Sequence, residues 1–124
     1  IETLDLTYTR VRDLAPLAKL TRLKRLYFPY ATLVRDVTPL AGLYDLELLD
    51  LERTHVADLA PLAGLKKLET LNVKNTPVSD LTPIAGLKSL QTLGIRGAQV
   101  DERSARQVAP SLPGCKIDAD YGLP

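Results

Sequence analysis

Apolar residues recur along this chain at a fixed interval. Leu49, Leu71 and Leu93 lie 22 residues apart, and so do Leu43, Leu65 and Leu87. The polar punctuation keeps the same step, with Asp58 and Asp80, Pro61 and Pro83, and Gly64 and Gly86 in register. Inside each interval a short stretch alternates apolar, polar, apolar: Leu4-Asp5-Leu6, Leu26-Tyr27-Phe28, Leu49-Asp50-Leu51, Leu71-Asn72-Val73 and Leu93-Gly94-Ile95. Alternation of period two puts both apolar side chains on one face, which predicts five short strands. None can bury its apolar face alone. Stacking the units makes a parallel sheet with a continuous core behind it.

The units read as residues 1–19, 20–42, 43–64, 65–86 and 87–100, followed by an atypical segment at 101–124. Each strand is followed by a stretch such as Asp80-Leu-Thr-Pro-Ile-Ala-Gly86. Asp there is expected to cap a one-turn helix that carries proline in its first turn. Glycine is expected to end that turn in the left-handed region. Lys19 replaces the glycine in the first unit, which predicts a different closure there.

The filled pattern, L-x-x-L-x-x-L-x-L-x-x-T-x-V-x-D-L-x-P-L-A-G at 43–64 and 65–86, resembles the leucine-rich repeat family. The 22-residue class of bacterial internalins and eukaryotic phosphatase regulators is the nearest in style, and the Ala-Pro-Leu-Ala-Gly wording looks bacterial. The resemblance implies an α/β solenoid, right-handed, with parallel strands on a concave face, short helical or 3₁₀ turns on the convex face and a C-terminal helical cap. It implies a protein-binding scaffold without catalysis and leaves the partner open, because function is grafted onto the fold. Internalin likeness would place the protein outside the cell or on its surface and phosphatase-regulator likeness inside it, so the compartment stays open.

Departures from the pattern are informative. Unit 20–42 carries one extra residue between Tyr27 and Val34. If it precedes Thr32, that threonine joins a column with Thr9, Thr54 and Thr76; if it follows Ala31, the column is broken. That column is expected to satisfy backbone N–H groups after each strand. Pro29, beside the insertion, suggests a bulge.

Side chains flanking the buried pair of each strand point to solvent, which defines the face column by column. Thr3, Arg25, Leu48, Thr70 and Thr92 form the first column, and Asp5, Tyr27, Asp50, Asn72 and Gly94 the second. Thr7, Pro29, Glu52, Lys74 and Arg96 follow, then Tyr8, Tyr30, Arg53, Asn75 and Gly97. Tyr8, Tyr27 and Tyr30 are expected to gather with Pro29 and Leu48 as aromatic anchors on the N-terminal half. Arg25, Asp50, Glu52 and Arg53 form a charged rim, and Asn72, Lys74 and Arg96 continue the face. An aromatic centre with a charged rim fits a protein partner. Strand propensity alone also favours Tyr and Thr in such positions. The C-terminal half, with Gly94 and Gly97, reads as bare.

Composition narrows the alternatives. Of 124 residues, 25 are leucine, and 16 basic residues stand against 15 acidic. That balance is too neutral for a domain built around a polyphosphate backbone. Seven of the basic residues, Arg10, Arg12, Lys19, Arg22, Lys24, Arg25 and Arg35, crowd the first 35 positions. Most fall in turns, where a solvated rim explains them better than RNA or an acidic partner does. One cysteine and one histidine cannot build a structural zinc site. His55 reads as a turn residue and Cys115 as a small buried apolar one. They are too far apart to form a catalytic pair. Asp118 and Asp120 are too sparse for a calcium loop. No cofactor, no enzymatic activity and no membrane insertion are expected.

Asp101 to Ala109 reads as a helix with Asp101 at its N-cap and Ala105, Val108, Ala109 and Leu112 on its apolar stripe. Pro113-Gly114 breaks it, and Cys115-Lys116-Ile117 can form one more strand. No comparable seal precedes Ile1, so the first strand is expected to be an open edge. Self-association there, or packing against a neighbouring domain of a larger signalling, effector or defence protein, is the alternative to a free binding module.

Overall fold

The computed structural model describes residues 1–123, so Pro124 of the expected terminal segment lies outside the described residues. One six-stranded sheet runs in sequence order, all parallel: β1 Thr3–Asp5, β2 Arg25–Tyr27, β3 Leu48–Asp50, β4 Thr70–Asn72, β5 Thr92–Gly94 and β6 Lys116–Asp118. Each strand starts one residue before the predicted alternating triplet, and the anticipated extra strand after the terminal helix supplies the sixth. Strands at about 4.8 Å spacing make the sheet roughly 24 Å wide.

Behind the sheet the repeated leucines form one core. Leu26, Leu49, Leu71 and Leu93 of the strands are fully buried, as are Leu46, Leu68 and Val56 of the turns. Each buried leucine contributes about 1.5–3 kcal/mol relative to exposure. The first coil is the exception. Leu4, Leu6, Leu17 and Leu20, in the edge coil of the sheet, are only half-buried.

The far side consists of short 3₁₀ segments, Ala15–Lys19, Thr38–Leu40, Ala60–Leu62 and Thr82–Ile84. Two expectations about them need correction. The formal cap residues are Leu14, Val37, Leu59 and Leu81, without side-chain bonds. Aspartate acts one position earlier, where Asp13, Asp36, Asp58 and Asp80 each accept the N–H two residues on, at 2.9 Å. The glycines are not left-handed either: positive φ among glycines occurs at Gly97 and Gly114. Gly42, Gly64 and Gly86 sit in a chain that continues winding, with Leu43, Leu65 and Leu87 donating to Leu40, Leu62 and Ile84. The first segment, without a glycine, is longer than the others.

The extra residue of the second coil lies after Ala31. Ala31 donates to Phe28 O as Thr54 donates to Leu51 O, and two residues, Thr32 and Leu33, separate it from Val34 where other coils have one. Thr32 is exposed and does not join the threonine column. No bulge forms, since Arg25, Leu26 and Tyr27 pair without slip to Leu48, Leu49 and Asp50. Thr54 and Thr76 act mainly as donors, not acceptors: each buried hydroxyl donates to the carbonyl three residues back, at 2.8 and 2.7 Å.

Helix α1, Glu102–Val108, closes the array. Asp101 accepts from Ser104 N at 2.8 Å, and Ala105, Val108 and Leu112 are buried while Ala109 is half-buried. Cys115 is half-buried rather than buried, and burial raises its thiol pKa.

Candidate functional site

Solvent-facing side chains of the sheet stand in rows across the strands. Asp5, Tyr27, Asp50, Asn72, Gly94 and Asp118 form one row, each in register with the next. Thr3, Arg25, Leu48, Thr70, Thr92 and Lys116 form the row before it.

After each strand the chain makes the same turn. Thr9 donates to Leu6 O, Ala31 to Phe28 O, Thr54 to Leu51 O and Ala98 to Ile95 O. The third residue of these turns has positive φ: Tyr8 at 60°, Tyr30 at 65°, Arg53 at 61°, Asn75 at 57° and Gly97 at 76°. A negative φ followed by a positive one is the type II pattern, which favours Gly or Asn in the third place and Pro in the second. Asn75, Gly97 and Pro29 obey that chemistry. Tyr8, Tyr30 and Arg53 do not, and each carries about 1–2 kcal/mol of left-handed strain.

These three strained residues meet. The Tyr8 and Tyr30 rings stack with centroids 4.9 Å apart and planes 22° from parallel. The Arg53 guanidinium lies 5.4 Å from the Tyr30 centroid. A column of left-handed turns thus presents a stacked ladder of ring, ring and cation, with Tyr8 74% exposed at its outer end. Tyr27 is half-buried in the neighbouring row and does not enter the stack.

The middle row also serves the backbone. Asp5, Asp50 and Asn72 each accept the N–H two residues on, from Thr7, Glu52 and Lys74 at 2.9, 3.0 and 3.0 Å. Asn72 in turn donates to Glu52 Oε1 at 3.1 Å. Bonds from Thr7 hold the Asp5 carboxyl below its usual pKa. Asp50 moves the other way. Burial raises it most, helped by the like charges of Glu52 and Asp5, against the lowering effects of the Glu52 N–H and Lys74.

The C-terminal half is not bare. Lys74 crosses β5 to reach Asp118 on β6 at 2.9 Å, and Arg96 pairs with Asp118 at 2.8 Å and approaches Asp120 at 3.8 Å. The Lys74 stem fills the space over Gly94, where an added Cβ would lie 2.7 Å from Lys74 Cε. Asp120 Oδ2 accepts from Gly97 N at 2.8 Å, in the place where the preceding coils use a carbonyl of the next coil. Lys74 and Arg96, expected among the partner-binding residues, are ion-paired with the terminal segment. Asp118 and Asp120 are parts of the face that sequence reasoning set aside. Their signal was Ile117, whose alternation with Asp118 places that carboxylate beside Gly94 once a sixth strand is granted. The signal for the left-handed column was Asn75 and Gly97 standing in it.

Among the described residues no group of His, Cys, Asp and Glu could hold a metal ion, and no helix is long and apolar enough to cross a membrane.

Comparisons agree with this geometry. The family model for leucine-rich repeats in two copies matches residues 44–86. The chain is similar to the crystal structure of internalin C2 of Listeria monocytogenes, with 27% identity, a TM-score of 0.78, and coverage of 94% of this chain and 60% of that one. It is similar to a leucine-rich repeat protein of Leptospira interrogans, with 25% identity, a TM-score of 0.86, and coverage of 94% and 31%. The leucine-rich repeat domain of the type III effector XopL shares 33% identity at a TM-score of 0.68, over 77% of this chain and 36% of that one. No curated protein sequence matches. The chain spans between 31% and 60% of the length of these structures. Repeat, sheet and matches together identify the chain as a leucine-rich repeat solenoid similar to those of the internalins.

Proposed function

We propose that this leucine-rich repeat module binds a protein partner on the open, concave face of its sheet, through the N-terminal half. Leucine-rich repeat folds are in general interaction modules. The observation that carries the reading here is the Tyr8–Tyr30–Arg53 ladder in left-handed turns. Strain kept where Gly or Asn would remove it points to selection for the side chain, and strained residues concentrate at ligand-binding sites. Tyr and Arg are also the side chains that most often dominate binding energy at protein interfaces. Arg25, Tyr27, Leu48, Asp50 and Glu52 surround the ladder, and Lys74 and Arg96 have a structural role.

The test is capture from source-cell lysate with the wild-type chain beside a Tyr8→Gly/Tyr30→Gly variant. Glycine keeps the left-handed backbone and removes the rings, so the fold survives. Proteins captured at least tenfold better by wild type support the reading, and equal capture overturns it. A second reading draws on the half-buried Leu4, Leu6, Leu17 and Leu20. On it the first coil packs against a neighbouring domain or a second copy. Binding lost in Leu17→Glu but kept in the ladder variant would move the site to that edge.

A further inference from the structure

The concave face holds a second aromatic position that the ladder leaves unused. Tyr27 stands between Asp5 and Asp50 in the same row, one carboxylate on each neighbouring strand. Each carboxylate spends Oδ1 on the backbone, on Thr7 N and Glu52 N respectively, and among the described residues neither Oδ2 atom has a hydrogen bond. Lys74 acts on Asp50 through its charge, but among the described residues neither Asp5 nor Asp50 is in an ion pair. Lys74 and Arg96 are bound to Asp118, Arg53 lies over Tyr30, and Arg25, on the same strand as Tyr27, forms no ion pair among the described residues. Glu52, beside Asp50, adds a further negative charge.

Resting on the protein-binding reading above, we infer that an arginine side chain of the partner seats over the Tyr27 ring between Asp5 and Asp50. A ring face attracts a cation, and on this same face the chain already sets its own Arg53 against Tyr30. Two strand steps separate the flanking columns by about 10 Å. A guanidinium with hydrogen bonds of about 2.8 Å on both sides spans most of that gap, and its planar fork of donors suits two carboxylates better than the single point of an ammonium does.

The probe is N-acetylarginine amide, titrated into the isotopically labelled chain and followed by NMR at the Tyr27 ring and the Asp5 and Asp50 carboxyl carbons. N-acetylcitrulline amide, of the same shape but uncharged, is the control. The expected result is saturable shifts at these three residues with a dissociation constant on the order of 10 mM, at least tenfold weaker for citrulline. Tyr27→Leu and Asp50→Asn should each weaken binding at least threefold, and Asn72 shows that asparagine keeps the backbone bond at that row. Equal shifts from arginine and citrulline, or arginine shifts that survive both substitutions, overturn the inference. Equal response to N-acetyllysine amide overturns the arginine assignment. A failed titration beside successful ladder-dependent capture removes the arginine site alone. A successful titration without such capture keeps the cation site and removes the protein partner.

Discussion

Tyr27 and Pro29 are a matched pair. In the flanking coils the residue at the place of Tyr27 is Asp5 or Asp50, which accepts the N–H of the residue two positions on, at 2.9 and 3.0 Å. Tyr27 offers no acceptor there, and Pro29 has no N–H to satisfy. Proline also fits the second place of the type II turn. Pro29→Ala should therefore destabilise the chain by about 0.5–1 kcal/mol, through a freer unfolded state and an uncapped N–H. Tyr27→Asp combined with Pro29→Ala restores both partners and should recover part of that loss. Urea unfolding of the four-member double-mutant cycle reads the coupling, and strict additivity would dissolve the pairing.

Left-handed strain predicts opposite outcomes along one column. Arg53→Gly should raise stability by up to about 1 kcal/mol, since Arg53 is exposed and gives up only the contact with Tyr30. Gly97→Ala should lower it by about 1–2 kcal/mol, because φ is 76° and the new Cβ would meet the Asn75 amide. Thermal melts of the two variants are the check. Stabilisation of Arg53→Gly together with weaker partner capture would show strain held for binding.

Asp50 and Asp118 should show opposite pH signatures. Asp118 lies below its ordinary 3.8, chiefly through hydrogen bonds from Lys74 and Arg96. Its stabilisation is present above that value and is lost as pH falls through the folded pKa. Asp118→Asn should thus be less stable than wild type at pH 7, with the gap closing in acid. Asp50 is raised above 3.8, so its charged form opposes folding at neutral pH and the penalty fades as pH falls. Asp50→Asn should be more stable than wild type at pH 7 by less than about 1 kcal/mol after solvent screening, with that advantage also vanishing in acid. Urea midpoints across the acid range distinguish the two signs.

The threonine column offers an internal control. Thr54→Val and Thr76→Val each remove a buried hydroxyl bond to the carbonyl three residues back, which costs about 1 kcal/mol. The Thr9 hydroxyl is buried without any hydrogen bond. Thr9→Val should therefore be neutral or stabilising, because no bond is lost and an unsatisfied group is removed. Calorimetry of the three variants tests this, and a Thr9→Val loss equal to the others would contradict the structure at that site.

The repeat, the inward leucines, the strand positions to within one residue and the Asp101-capped helix were all legible in the chain. They rest on local periodicity and on burial of apolar surface, and both are written into spacing. The solvent-facing columns were legible for the same reason, since period-two alternation assigns faces without knowing any partner. The tertiary structure decided what depends on neighbours from other coils. Tyr30 becomes left-handed where its N–H reaches Glu52 O, which frees its ring to stack on Tyr8 from 22 residues away. Ala31, not Thr32, occupies the threonine column because Phe28 O and the packed core set the turn before the extra residue arrives. Lys74 and Arg96 turn to Asp118 because a sixth strand set that carboxylate in register with Gly94, where no side chain stands between. Spacing along the chain determines which side of the sheet a residue faces. Which charge it meets there depends on the coil that stacks beside it.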